Sequence, residues 1–136
     1  MIDEIQWHNE LNVGHDRIDF EHKMFLALIK NIAIAINQDK SNEHLTRLMM
    51  ELQRYAEFHF FSEENIAIEC GELDTQVNAH RRIHQYLLTE LEHKVRRYED
   101  GDVLAPEILE FLIDWFAMHA EQDRERVAQF HKNTAA

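Results

Sequence analysis

Residues 45–66 read LTRLMMELQRYAEFHFFSEENI, and their spacing decides the fold. Leu45, Leu48, Leu52, Tyr55, His59, Glu63 and Ile66 recur every three or four residues, so they lie on one face of an α-helix. Upstream, Asp39, Lys40, Ser41 and Asn42 form a short polar break in which Ser41 or Asn42 can cap this helix. Downstream, Gly71 offers a C-terminal stop.

The same periodicity extends in both directions. Ile18, His22, Phe25, Ile29, Ile32 and Ile36 make one stripe before the break. After Gly71, Asp74 or Thr75 can cap a helix with the stripe Val77, His80, His84, Leu87, Leu91, Val95 and Tyr98, closed by Gly101. Pro106 suits the first turn of a last helix with the stripe Ile108, Leu112, Trp115, His119, Asp123, Arg126 and Phe130. The reading is an all-α chain: residues 1–136 as a single domain, with helices at about 18–37, 42–70, 75–99 and 105–131. Short polar loops make sequential neighbours antiparallel, which gives an up-down-up-down four-helix bundle behind an irregular N-terminal segment.

Composition agrees and excludes several classes. Three Gly and one Pro are too few for the turns of a β-rich chain of 136 residues. A net charge of −12 with His neutral repels phosphate backbones and anionic lipid surfaces, so neither nucleic acid nor a membrane is expected as partner. Cys70 is the only cysteine, which rules out an internal disulfide and any cysteine-rich zinc or iron–sulfur site. With no basic leader followed by an apolar run, and no stretch of 18 apolar residues, a cytoplasmic location is expected.

The polar residues that interrupt the stripes carry the chemistry. His22 lies on the first, His59 and Glu63 on the second, His80 and His84 on the third, and His119 and Asp123 on the fourth. Each pair is spaced i, i+4, which places both side chains on one face a turn apart. Taken singly, each has an ordinary reading as a hydrogen-bonded core histidine or a helix-surface pair. Together they are five His and two carboxylates in phase with the core of four helices. Leaving so many buried polar groups unpaired would cost about 1–3 kcal/mol each, beyond a domain's usual margin of stability. Metal satisfies them. Seven ligands exceed one tetrahedral ion, and imidazole with carboxylate but no thiolate suits two ions sharing bridging carboxylates. Glu90 and His93 form a lone Glu-x-x-His spacing off the third stripe, a poor match to the carboxylate-rich di-iron bundles. His8, His15, His44, His93 and His131 fall outside the stripes and are expected at the surface.

Over nearly its whole length the chain resembles the hemerythrin family, and its bacterial branch in particular. The resemblance rests on Trp7, Val13, Gly14, Ile18, Asp19 and His22; on His59-Phe60-Phe61-Ser62-Glu63-Glu64; on His80 with His84; and on Trp115 with His119. It implies two non-haem irons, oxo- or hydroxo-bridged. One would be held by His80, His84 and His119 and the other by His22 and His59, with Glu63 bridging. The family's second bridging aspartate stands five residues after the fourth-helix histidine, where this chain has Arg124. The acid here is Asp123, four residues on, and it is assigned as the bridge because i+4 lies nearer the face of His119. Phe60, Trp115, Phe116 and Ala120 neighbour the ligands and are expected to wall the oxygen pocket, with Ala120 standing where the family commonly has a larger aliphatic residue.

The function the resemblance implies is reversible binding of dioxygen for storage, carriage or delivery, with dioxygen as ligand and no net chemistry on a substrate. The chain is accordingly not expected to be an enzyme. The alternative is an oxygen- or redox-sensing input domain using the same site, and the partner class would then be a signalling protein, as it would be an oxygen-consuming protein for a carrier. A peroxidase or ferroxidase fits the His-rich ligand set less well.

Overall fold

The computed structural model describes residues 5–134. A short 3-10 turn, Asn9–Leu11, precedes α1 (Asp16–Asn37), α2 (Asn42–Glu69), α3 (Asp74–Glu99) and α4 (Ala105–Thr134). Met1 to Glu4, which open the expected irregular segment, lie outside the described residues. The helices form the expected antiparallel bundle: each packs on the next in sequence, and α4 returns to pack on α1.

Local chemistry accounts for the ends. Ser41, not Asn42, caps α2, its Oγ accepting from the His44 N–H at 3.1 Å. At α3 neither Asp74 nor Thr75 is the cap: Leu73 holds the N-cap position without a side-chain bond, and Asp74 is the first helical residue. α2 ends with Gly71 at φ +79°, a left-handed conformation that glycine adopts freely, and the Glu72 N–H then reaches back to the Ala67 carbonyl at 3.0 Å. His15, expected at the surface, caps α1 by accepting from the Ile18 N–H at 3.3 Å. His131, likewise expected there, is exposed and donates to the Gly14 carbonyl at 3.0 Å.

The core is split in two. A larger cluster around Phe25, Ile29, Leu52, Leu91, Ile108 and Leu112 fills one end of the bundle. A smaller one of Val13, Ile18, Ile66, Val77, Val127 and Phe130 fills the other. Along each helix the polar positions fall between the two: His22 between Ile18 and Phe25, His59 and Glu63 between Leu52 and Ile66, His119 and Asp123 between Leu112 and Val127. The bundle therefore carries a polar layer sandwiched between apolar ones, dry on both sides.

Candidate metal centre

Each helix delivers its polar residues to that layer because a stripe of period 3.6 keeps one face inward for several turns. His22, His59, Glu63, His119 and Asp123 are all buried, and one ligand atom from each lies within 4.8 Å of the others. His59 Nε2 is 3.1 Å from Glu63 Oε2, His119 Nε2 is 3.2 Å from the same oxygen, and His22 Nε2 is 3.0 Å from Asp123 Oδ2. His84 is also buried, with Nε2 3.9 Å from Glu63 Oε2. His80 is not brought into the cluster: its side chain is 32% exposed and its Nδ1 faces Glu72 Oε1 at 3.5 Å.

The fourth-helix acid at i+4 points into the same buried layer as His119. Asp123 Oδ2 lies 2.9 Å from His119 Nε2. Arg124, one residue later, is exposed and turns to the N-terminal segment, donating to the carbonyls of Asn12 and Glu10.

This arrangement fits a metal on its own chemistry. Both oxygens of Glu63, both ring nitrogens of His22 and Asp123 Oδ2 are buried without a well-aligned hydrogen bond, although imidazole nitrogens crowd Glu63 Oε2 and Asp123 Oδ2 at 2.9–3.2 Å. Two carboxylates gathered in a buried layer need compensating positive charge, which a protonated imidazole supplies in part and a metal ion supplies in full. The donor set is imidazole nitrogen and carboxylate oxygen without sulfur, which suits iron, manganese or zinc over softer ions.

The electrostatics follow from this crowding. Burial raises the Glu63 carboxyl, but the charges of His119 and His59 outweigh it and hold the group well below the usual carboxylate range. Burial lowers His119, yet the Asp123 and Glu63 carboxylates reverse this and lift it to about 10. His84, facing less negative charge, is pushed down to about 3, chiefly by burial, and so is a neutral ring near pH 7.

Sequence reasoning missed Glu21. It is 3% exposed, and its Oε1 accepts from His59 Nδ1 at 2.8 Å. Ser62 Oγ and Arg17 Nε donate to its other oxygen at 2.7 and 3.0 Å, and the Tyr55 hydroxyl donates to its backbone carbonyl at 2.8 Å. With Nδ1–H held by Glu21, Nε2 is the nitrogen His59 presents to the centre. The signal was faint: Glu21 follows Ile18 by three residues and so shares its face, but a lone acid beside a stripe reads as a solvated flank.

Three of the four residues expected to wall a pocket pack on the histidines of the layer. Phe60 stacks on His84 with centroids 4.0 Å apart, Trp115 stacks on His119 at 4.6 Å, and Phe116 meets His22 edge-on at 5.6 Å. Ala120 is buried beside them in sequence at 1% exposure. A surface groove of about 340 Å³ between α2 and α3 reaches Phe60 and His84.

Comparison with known proteins agrees with the geometry. Residues 13–130 match the family model described as the hemerythrin HHE cation binding domain. The chain is 30% identical over 132 residues to a bacteriohemerythrin of Clostridium acetobutylicum, covering 89% of this chain and 97% of that protein. It is 26% identical over 117 residues to a bacteriohemerythrin of Pseudomonas aeruginosa, covering 86% of this chain and 74% of that one. A bacteriohemerythrin of Stenotrophomonas maltophilia is 24% identical over 122 residues, with 90% and 78% covered. No solved structure gave a significant match. A polar layer of His and carboxylate between two apolar clusters, within a sequence matched from residue 13 to residue 130, makes this chain a member of the hemerythrin family.

Proposed function

We propose that the buried layer holds two non-haem irons and binds dioxygen reversibly, without turning over a substrate. The observation that carries this reading is the convergence of five buried ligand atoms within 4.8 Å, several of them without any other partner. When bound, the irons supply the electrons that dioxygen takes up on binding and returns on release.

The chain's residues do the rest. His22 and His59 would hold one ion, and His84 and His119, joined by His80, the other, with Glu63 and Asp123 between them. Glu21 fixes the tautomer of His59, so its Nε2 lone pair is available without a rotamer search. The rings of Phe60, Trp115 and Phe116 pack against the ligand imidazoles and exclude water, which slows the side reactions that would make binding irreversible.

We assign storage, carriage or delivery of oxygen as the role. The test is to load the protein with ferrous iron anaerobically, admit oxygen, and follow the visible spectrum through cycles of vacuum and air. A charge-transfer band that appears with oxygen, disappears under vacuum and survives many cycles supports carriage. A band lost within a cycle or two by oxidation favours the sensing alternative, and no band at all contradicts oxygen binding.

A further inference from the structure

Between α3 and α4 a groove of about 400 Å³ is lined by Glu72, His80, Ile83, Gln122 and Arg126 among others. Two buried charges meet there. Arg126 Nε and Nη2 donate to the two oxygens of Glu72 at 2.8 and 2.7 Å, and both side chains are 4% exposed. Such a bidentate pair fixes the carboxylate in plane and direction. Glu72 is further constrained at its backbone, since it is the residue whose N–H closes the end of α2 on Ala67. Its carboxylate is therefore a rigid acceptor on a rigid stem.

One group faces that acceptor without completing a bond. His80 Nδ1 is buried, has no hydrogen-bond partner, and stands 3.5 Å from Glu72 Oε1. The arrangement parallels Glu21 and His59: in each case a buried carboxylate, anchored by an arginine, faces the Nδ1 of a histidine on a neighbouring helix or turn, His59 fully buried and His80 one-third exposed. In an imidazole, Nδ1 and Nε2 lie on separate edges, so an Nδ1–H given to a carboxylate leaves Nε2 as the metal-binding nitrogen.

We propose that Glu72, clamped by Arg126, is the positioning residue that orients His80 toward the metal layer, and that the ion on the His80 side is the second to load. This rests on the di-iron reading above. The order follows from geometry: both histidines of the other ion, His22 and His59, are already gathered with Glu63 and Asp123, whereas on the His80 side only His119 is, and His80 is one-third exposed with a carboxylate contact longer than the 2.8 Å of His59.

The experiment is an anaerobic Co(II) titration of the full chain, followed by calorimetry and by the ligand-field absorption of each bound ion. Wild type is expected to take two ions in two resolved steps. Glu72→Ala should weaken the second step by about 10–100-fold and leave the first step and its absorption band unmoved. Glu72→Gln, which still offers an oxygen to Nδ1–H, should lose less. Because Glu72→Ala leaves Arg126 buried and unpaired, Glu72→Ala/Arg126→Met is measured beside it. That variant removes both charges and should show the same selective loss. Two ions bound with wild-type affinities in every variant, or equal weakening of both steps, would overturn the assignment of Glu72 alone. Fewer than two ions in wild type would overturn the di-iron reading and this one with it.

Discussion

On α4, His119 and Asp123 stand one turn apart with Nε2 and Oδ2 separated by 2.9 Å, so the acid at i+4 reaches the same point in the layer as the histidine. Arg124, at i+5, is directed to the carbonyls of Glu10 and Asn12 instead. A regular helix advances 100° per residue, which keeps i+4 within about 40° of the starting face and swings i+5 out to about 140°. Asp123→Asn should therefore reduce iron bound per chain, and Arg124→Asp in that background should not restore it. Metal analysis after anaerobic loading and desalting reads both outcomes; recovery in the double variant would mean that Arg124 occupies the true ligand position.

His119 and Glu63 predict how the metal-free protein responds to pH. The raised His119 pKa, about 10 against an ordinary 6.5, means that the folded state holds that proton more tightly than the unfolded chain. Its contribution to stability is fully present below pH 6.5 and is lost as pH rises through about 10. Glu63 has the opposite sign: its depressed pKa contributes above the ordinary 4.5 and is lost as pH falls. Thermal melts in chelator should show Tm declining from pH 6.5 towards 10, while iron-loaded protein, in which a metal held by His119 would have displaced that proton, should stay level over that range. A metal-free Tm that rises across this range would contradict the coupling.

Glu21 acts on the centre through His59. Glu21→Ala should lower iron affinity by about 10–100-fold, and Glu21→Gln, which keeps an acceptor for Nδ1–H, should retain much of it. The check is competition against a chelator of known affinity. Equal affinity for wild type and Glu21→Ala would show that the His59–Glu21 contact does not reach the metal.

The larger apolar cluster stabilises the bundle independently of metal. Leu52 and Ile29 are fully buried there. Leu52→Ala should cost about 2–5 kcal/mol of unfolding free energy through lost burial and the cavity left behind. Denaturant titration with and without iron should give similar losses, because Leu52 lies outside the ligand set.

How much of this was legible beforehand depended on what the local pattern could register. The four stripes were readable because burial on one helix face imposes a period of three to four residues. The polar layer was readable because histidines and acids appeared in phase with those stripes. Helix phase does not report rotamer or tertiary partner, so His80 and His84 looked equivalent in sequence, whereas one stacks on Phe60 and the other faces Glu72. Glu72 sits in a turn, where no periodicity marks which side chains fold inward. Leu73 at the N-cap of α3 offers no cap chemistry, so the caps the sequence suggests, Asp74 and Thr75, place the helix start one residue late or later. The placement of Arg126 on the α4 stripe did signal burial, but its partner 54 residues away could not be read from spacing.

The most direct test of the central claim is anomalous diffraction at the iron edge from crystals of the anaerobically loaded protein. Two anomalous peaks in the layer bounded by His22, His59, Glu63, His84, His119 and Asp123, with His80 turned in to the second, are the predicted result. A single peak, none, or iron bound elsewhere on the chain would contradict it.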